Sequence, residues 1–131
     1  MFVDASAAIA VLTDEDDAEM LVQKLEQAQR VLMSPLALYE TVAGLARKRD
    51  CPVEEAQALV DLFVAEVRAE VVDISPEIGR VAVEAFAMFG KGRHRADLNM
   101  GDCFAYACAR GHGVPLLFKG NDFIHTDIDT A

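Results

Sequence analysis

The chain has 131 residues, 53% of them apolar, and its 22 acidic and 12 basic side chains leave a formal net charge of −10. That length is expected to form a single domain over residues 1–131, and the acidity excludes a general nucleic-acid binder held by a basic surface. Three cysteines without tight spacing do not make a disulfide framework, and neither a leader nor an apolar run near ~18 residues is present, so a soluble cytoplasmic protein is expected.

Residues 2–4 read as a short buried strand ending in Asp4, followed by a helix over about 6–12. Thr13-Asp14-Glu15-Asp16-Asp17 reads as an acidic helix start capped by Thr13, with Met20, Leu21, Val22, Leu25 and Ala28 at helical spacing behind it. Val31-Leu32-Met33 is the second strand. Ser34-Pro35 opens a helix to about Arg49, and Pro52 opens another to about Arg68. Val71–Ile74 is the third strand, and Ser75-Pro76 starts a helix to about Phe89. A basic loop, Lys91–Arg95, leads to a helix near Asp102 that stops at Gly111 and Gly113. Val114–Phe118 is the fourth strand, and the tail 124–131 has room for a short edge strand. Strands alternating with helices imply an α/β fold, with a small, mostly parallel sheet covered by helices on both faces in an α/β/α sandwich.

Four acids sit where such a sheet can gather them. Asp4 ends the first strand, Asp122 lies beyond the fourth, Asp102 opens the helix before that strand, and Glu40 lies early in the helix after the second. Ligands collect outside the carboxyl ends of strands in open α/β sheets. Glu40 shares its helix face with Leu36, Ala43 and Gly44. A carboxylate on so apolar a face requires a cation, hydrogen bonds or a raised pKa. Helix capping competes for Asp102 and turn formation for Asp122, while Ser6 either caps a helix or partners Asp4. Oxygen-only ligands suit Mg²⁺ or Mn²⁺. Cys108 and His112 stand four residues apart, but no second pair completes a zinc site. Lys91, Arg93, Arg95 and Lys119 add local basic charge to an acidic chain and are candidate phosphate contacts, set against ordinary loop solubility.

Four blocks then carry a family resemblance: Phe2-Val3-Asp4-Ala5-Ser6; Leu38-Tyr39-Glu40; Leu98–Ala107; and Leu116–Phe123, followed by Thr126-Asp127-Ile128. The chain resembles PIN-domain proteins, and among them the VapC-type toxins of toxin–antitoxin pairs. The resemblance implies a Mg²⁺- or Mn²⁺-dependent endoribonuclease that hydrolyses RNA phosphodiesters with a metal-activated water. Its acids fall on Asp4, Glu40, Asp102 and Asp122, with Asp4 and Asp102 as direct ligands. It also implies a cognate antitoxin and a homodimer or toxin–antitoxin hetero-oligomer. Leu59, Val60, Phe63 and Val64 share a helix face compatible with such a groove, although core packing is the first use for most of them. Many PIN domains place Thr, a variable residue and Asp after the last strand. Here that stretch reads Phe118-Lys119-Gly120, with Asp122 two positions on. The alternatives are a non-catalytic PIN-fold binding module and a receiver-like phospho-acceptor domain. The receiver expects paired acids after the first strand, and Asp4 has no acidic neighbour.

Overall fold

In the computed structural model, which describes residues 1–131, four two-residue strands and six helices alternate along the chain. They are β1 (Phe2–Val3), α1 (Ala5–Leu12), α2 (Ala18–Gln27), β2 (Leu32–Met33), α3 (Pro35–Arg49) and α4 (Val53–Glu66). β3 (Glu70–Val71), α5 (Pro76–Phe89), α6 (Met100–His112) and β4 (Leu116–Leu117) complete them, and a 3₁₀ turn spans Phe123–His125. The sheet order is β3-β2-β1-β4, and every pairing is parallel. β1 is therefore central. The chain leaves it toward β2, while β4 returns on its other side, so the switch in direction lies between β1 and β4. That is where an open α/β sheet leaves a crevice at its carboxyl edge.

Phe2, Val3, Leu32 and Met33 on the two central strands are wholly buried, as central parallel strands require, and so is Leu116 on β4. Each such side chain contributes roughly 1.5–3 kcal/mol by leaving water. A second, smaller core joins α3 to α4 through Val42, Leu45, Ala56 and Val60. Val60 and Phe63 are buried, as core packing requires, whereas Leu59 and Val64 on the same helix are partly exposed.

Local signals explain the helix ends. Ser34 and Ser75 cap α3 and α5 by accepting the Ala37 and Ile78 N–H groups, each ahead of a proline in the first turn. α6 ends on Gly113, whose φ of 64° is left-handed.

Three expectations shift. The third strand is Glu70–Val71, starting one residue and ending three residues earlier than expected, and it is exposed at a sheet edge where it pairs only with β2. The acidic run does not start a helix: α2 begins at Ala18, Asp17 makes no side-chain cap, and the Thr13 hydroxyl donates back to the Ile9 carbonyl to close α1. The tail makes the 3₁₀ turn and a single parallel bridge, Leu116 to Thr130, rather than a strand.

Candidate active site

Asp4 is the N-cap of α1 and is 5% exposed. Its Oδ2 accepts the Ser6 N–H at 3.0 Å and the Ser6 hydroxyl. The same hydroxyl accepts the Lys119 N–H at 3.0 Å, tying the loop after β4 to the acid after β1. Burial pushes the Asp4 pKa up, the Ser6 bonds pull it down, and the charge of Asp122 raises it further.

Glu40 projects from α3 into the same space. Burial, then Asp4, then Asp102 raise its pKa to about 7. It lies directly against Gly101 of α6: a Cβ built there would stand 1.9 Å from its Oε2. The glycine in Gly101-Asp102 is thus the room that Glu40 occupies.

Asp102 is the third residue of α6. Its Oδ2 accepts the Asn99 N–H at 3.0 Å, and the Asn99 Oδ1 accepts the Asp102 N–H at 2.9 Å. This reciprocal capping box uses one carboxylate oxygen. Burial, partly offset by that bond and reinforced by Asp4 and Asp122, raises its pKa to about 6. Capping and clustering therefore coexist in one side chain.

Asp4, Glu40 and Asp102 line one cleft of about 400 Å³. Asp122 is exposed and outside the cleft wall, yet its charge reaches Asp4 and Asp102. None of the four takes part in an ion pair; all five pairs of the fold lie elsewhere. No three of the His, Cys, Asp and Glu side chains stand close enough together to ligate one ion. The donor set still fits a hard divalent cation: it is all oxygen, anionic and unmatched by a protein cation.

The basic candidates separate. Lys119 is bound to Glu15 at 2.7 Å and Asp17 at 3.2 Å, which spends its charge and gives the acidic run a structural role. Arg93 lies over the Phe86 ring at 5.5 Å. Lys91 borders an apolar pocket with Phe86, Met100 and Phe104, and Arg95 is exposed. None of these four lines the acidic cleft. Arg47 and Tyr39 do, and sequence reasoning passed over both. The available signal was spacing: Tyr39, Glu40, Ala43, Gly44 and Arg47 fall on one face of α3. Asp127, which reads as surface charge, accepts the Tyr106 hydroxyl and the Arg110 guanidinium, each at 2.6 Å, and fastens the tail to α6.

The PIN-domain family model matches residues 1–129. The chain belongs to the PIN-domain family. Within that family it is 40% identical to a VapC ribonuclease of Rhizobium meliloti (strain 1021), over 97% of this chain and 98% of that protein. It is also 40% identical to ribonuclease VapC30 of Mycobacterium tuberculosis (strain ATCC 25618 / H37Rv), over 100% and 98% of the two chains. These place it with the VapC-type PIN domains. The crystal structure of M. tuberculosis VapC20, a Sarcin-Ricin loop cleaving toxin, superposes with a TM-score of 0.77 at 19% identity, covering 99% of this chain and 97% of that one. VapBC2 from Rickettsia felis, bound to a DNA fragment from its promoter, gives 0.74 at 15% identity, covering 99% and 96%. At those identities the likeness is one of fold.

Proposed function

We propose that the cleft of Asp4, Glu40 and Asp102, with Asp122 at its rim, holds Mg²⁺ or Mn²⁺ and cleaves RNA as the toxin of a toxin–antitoxin pair. The chain is a VapC-type RNA-cleaving hydrolase. The observation that carries the site is three carboxylates, Asp4, Glu40 and Asp102, lining one cleft with none of them in an ion pair. A structural network would pair such charges, because leaving them buried and unpaired is costly.

A bound divalent cation supplies positive charge for the phosphate and acidity for a nearby water. The residues prepare for it in distinct ways. Ser6 fixes the Asp4 carboxylate through two hydrogen bonds to Oδ2. The capping box holds Asp102 through Oδ2. Burial, then Asp4 and Asp102, raise the Glu40 pKa to about 7, and a bound cation would favour its anionic form.

The partner is a cognate antitoxin, consistent with the VapBC2 complex and a toxin–antitoxin complex from Klebsiella pneumoniae among its fold neighbours. No helix is long and apolar enough to cross a membrane, and the cytoplasm is the proposed location. The test is expression of the wild type beside an Asp4→Asn, Asp102→Asn double variant, with growth and RNA cleavage measured in Mg²⁺ or Mn²⁺. Loss of both effects in the variant, with antitoxin binding retained, supports the reading. Equal toxicity and cleavage in both forms removes it.

A further inference from the structure

Along the wall of the cleft, α3 presents Tyr39 and Arg47 on either side of Ala43 and Gly44. Tyr39 is 71% exposed, an unusual position for an aromatic ring without a partner. Arg47 is exposed and enters no ion pair or side-chain hydrogen bond, although it is the one basic residue lining a cleft with three carboxylates. Seven residues of helix set it about 10 Å along the axis from Glu40, too far to neutralise that acid and near enough to face a ligand held by it. The small side chains between leave a saddle that an extended polymer can cross. Other nearby cations are engaged: Lys48 pairs with Glu15, and Lys119 with Glu15 and Asp17.

We infer that this ridge is a subsite for single-stranded RNA, with Arg47 holding a phosphate beside the scissile one and Tyr39 stacking an unpaired base. The inference rests on the ribonuclease reading above and adds the residues that seat the substrate. A chain of net charge −10 repels RNA at long range, so a local fork of guanidinium donors is what brings a phosphate to an acidic cleft. An exposed aromatic face accepts any unstacked base, whereas a duplex keeps its bases covered.

The test uses the full chain. Binding of a short labelled single-stranded RNA is followed by anisotropy on the Glu40→Gln protein, and cleavage is followed on otherwise wild-type protein. Arg47→Ala is expected to weaken binding about tenfold and to lower the slope of log affinity against log salt by about 0.7. Arg47→Lys restores the slope but not the full affinity. Tyr39→Ala weakens binding roughly fivefold or more, and Tyr39→Phe binds like the parent. In cleavage, both alanine variants raise KM and leave kcat within about twofold. Lys48 and Arg49 still complement the helix end, so Arg47→Ala keeps its fold. Unchanged affinity, salt slope and KM in both alanine variants overturn the subsite, as does loss of antitoxin binding with RNA binding intact. RNA binding that depends on Arg47 and Tyr39 in a wild type unable to cleave RNA supports the subsite and removes only the nuclease reading.

Discussion

Gly101→Ala separates the position of Glu40 from the stability of the fold. The new methyl carbon would lie 1.9 Å from Glu40 Oε2, 2.5 Å from Cδ and 2.6 Å from Oε1, where real contacts stay beyond 3.0 Å. The carboxylate must therefore retreat by about 1 Å or more. The atoms that clash are the far end of a flexible side chain, so the side chain yields and the α3–α6 packing stays. Gly101 is the second residue of α6, where alanine is favoured over glycine by no more than the ~0.5–1 kcal/mol of a helix interior, and moving a carboxylate out of a repulsive cleft adds a small gain. The expected outcome is unchanged or slightly raised stability in urea unfolding. RNA cleavage falls by about a hundredfold, the usual order for a 1 Å misplacement at a reacting centre. A Glu40→Ala background removes the clash, so adding Gly101→Ala there changes activity little. Gly79→Ala is the control: that site on α5 has nothing within 4 Å, and the change leaves cleavage unaffected. Cleavage within a few fold of wild type in Gly101→Ala would refute the role given to Glu40. Unfolding of the variant would show that the backbone gives way.

Folded-state pKa values of about 7 for Glu40 and about 6 for Asp102 lie above their ordinary values of 4.5 and 3.8. Their contribution to metal-free stability is thus full below about pH 4 and is lost as pH rises toward 7. After discounting for the solvent that reaches both groups, the loss is about 1–2 kcal/mol. Urea unfolding in chelator at pH 5, 6 and 7 should show wild type losing stability relative to Glu40→Gln across that range, and a constant difference contradicts the shift. Cleavage should require Mg²⁺ or Mn²⁺, and added chelator should abolish it; cleavage that survives the chelator argues against a divalent cation. Ser6→Ala removes the hydroxyl that donates to the Asp4 Oδ2, leaves the backbone N–H bond to the same oxygen, and severs the link to the Lys119 N–H. It should cost about 1 kcal/mol in unfolding and lower kcat more than it raises KM. Asp127→Ala releases the tail from Tyr106 and Arg110. Amide exchange should quicken in residues 123–131 with cleavage unchanged, whereas unaltered exchange would show the tail held by its apolar contacts alone.

The alternation of apolar runs with capped helices determined the α/β class and the helix starts at Ser34-Pro35 and Ser75-Pro76, because caps and prolines act on their immediate neighbours. Asp4, Asp102 and Asp122 were legible as acids at or near element ends and Glu40 as an acid early in its helix, and the small residues around Glu40 already marked it as half-buried. Chain order left the rest open. Strand order, decided by non-local pairing, made β1 central and brought Asp4 and Asp102 into one cleft while leaving Asp122 at the rim. Only packing of α6 on α3 shows that Gly101 makes room for Glu40. Ion pairing across more than a hundred residues turned Lys119 and Glu15 from surface charges into a structural pair. The same folding left Arg47 as the free cation on the cleft wall. Local sequence specifies which backbone groups are capped and which faces are apolar; which charges meet depends on distances that only the folded chain sets.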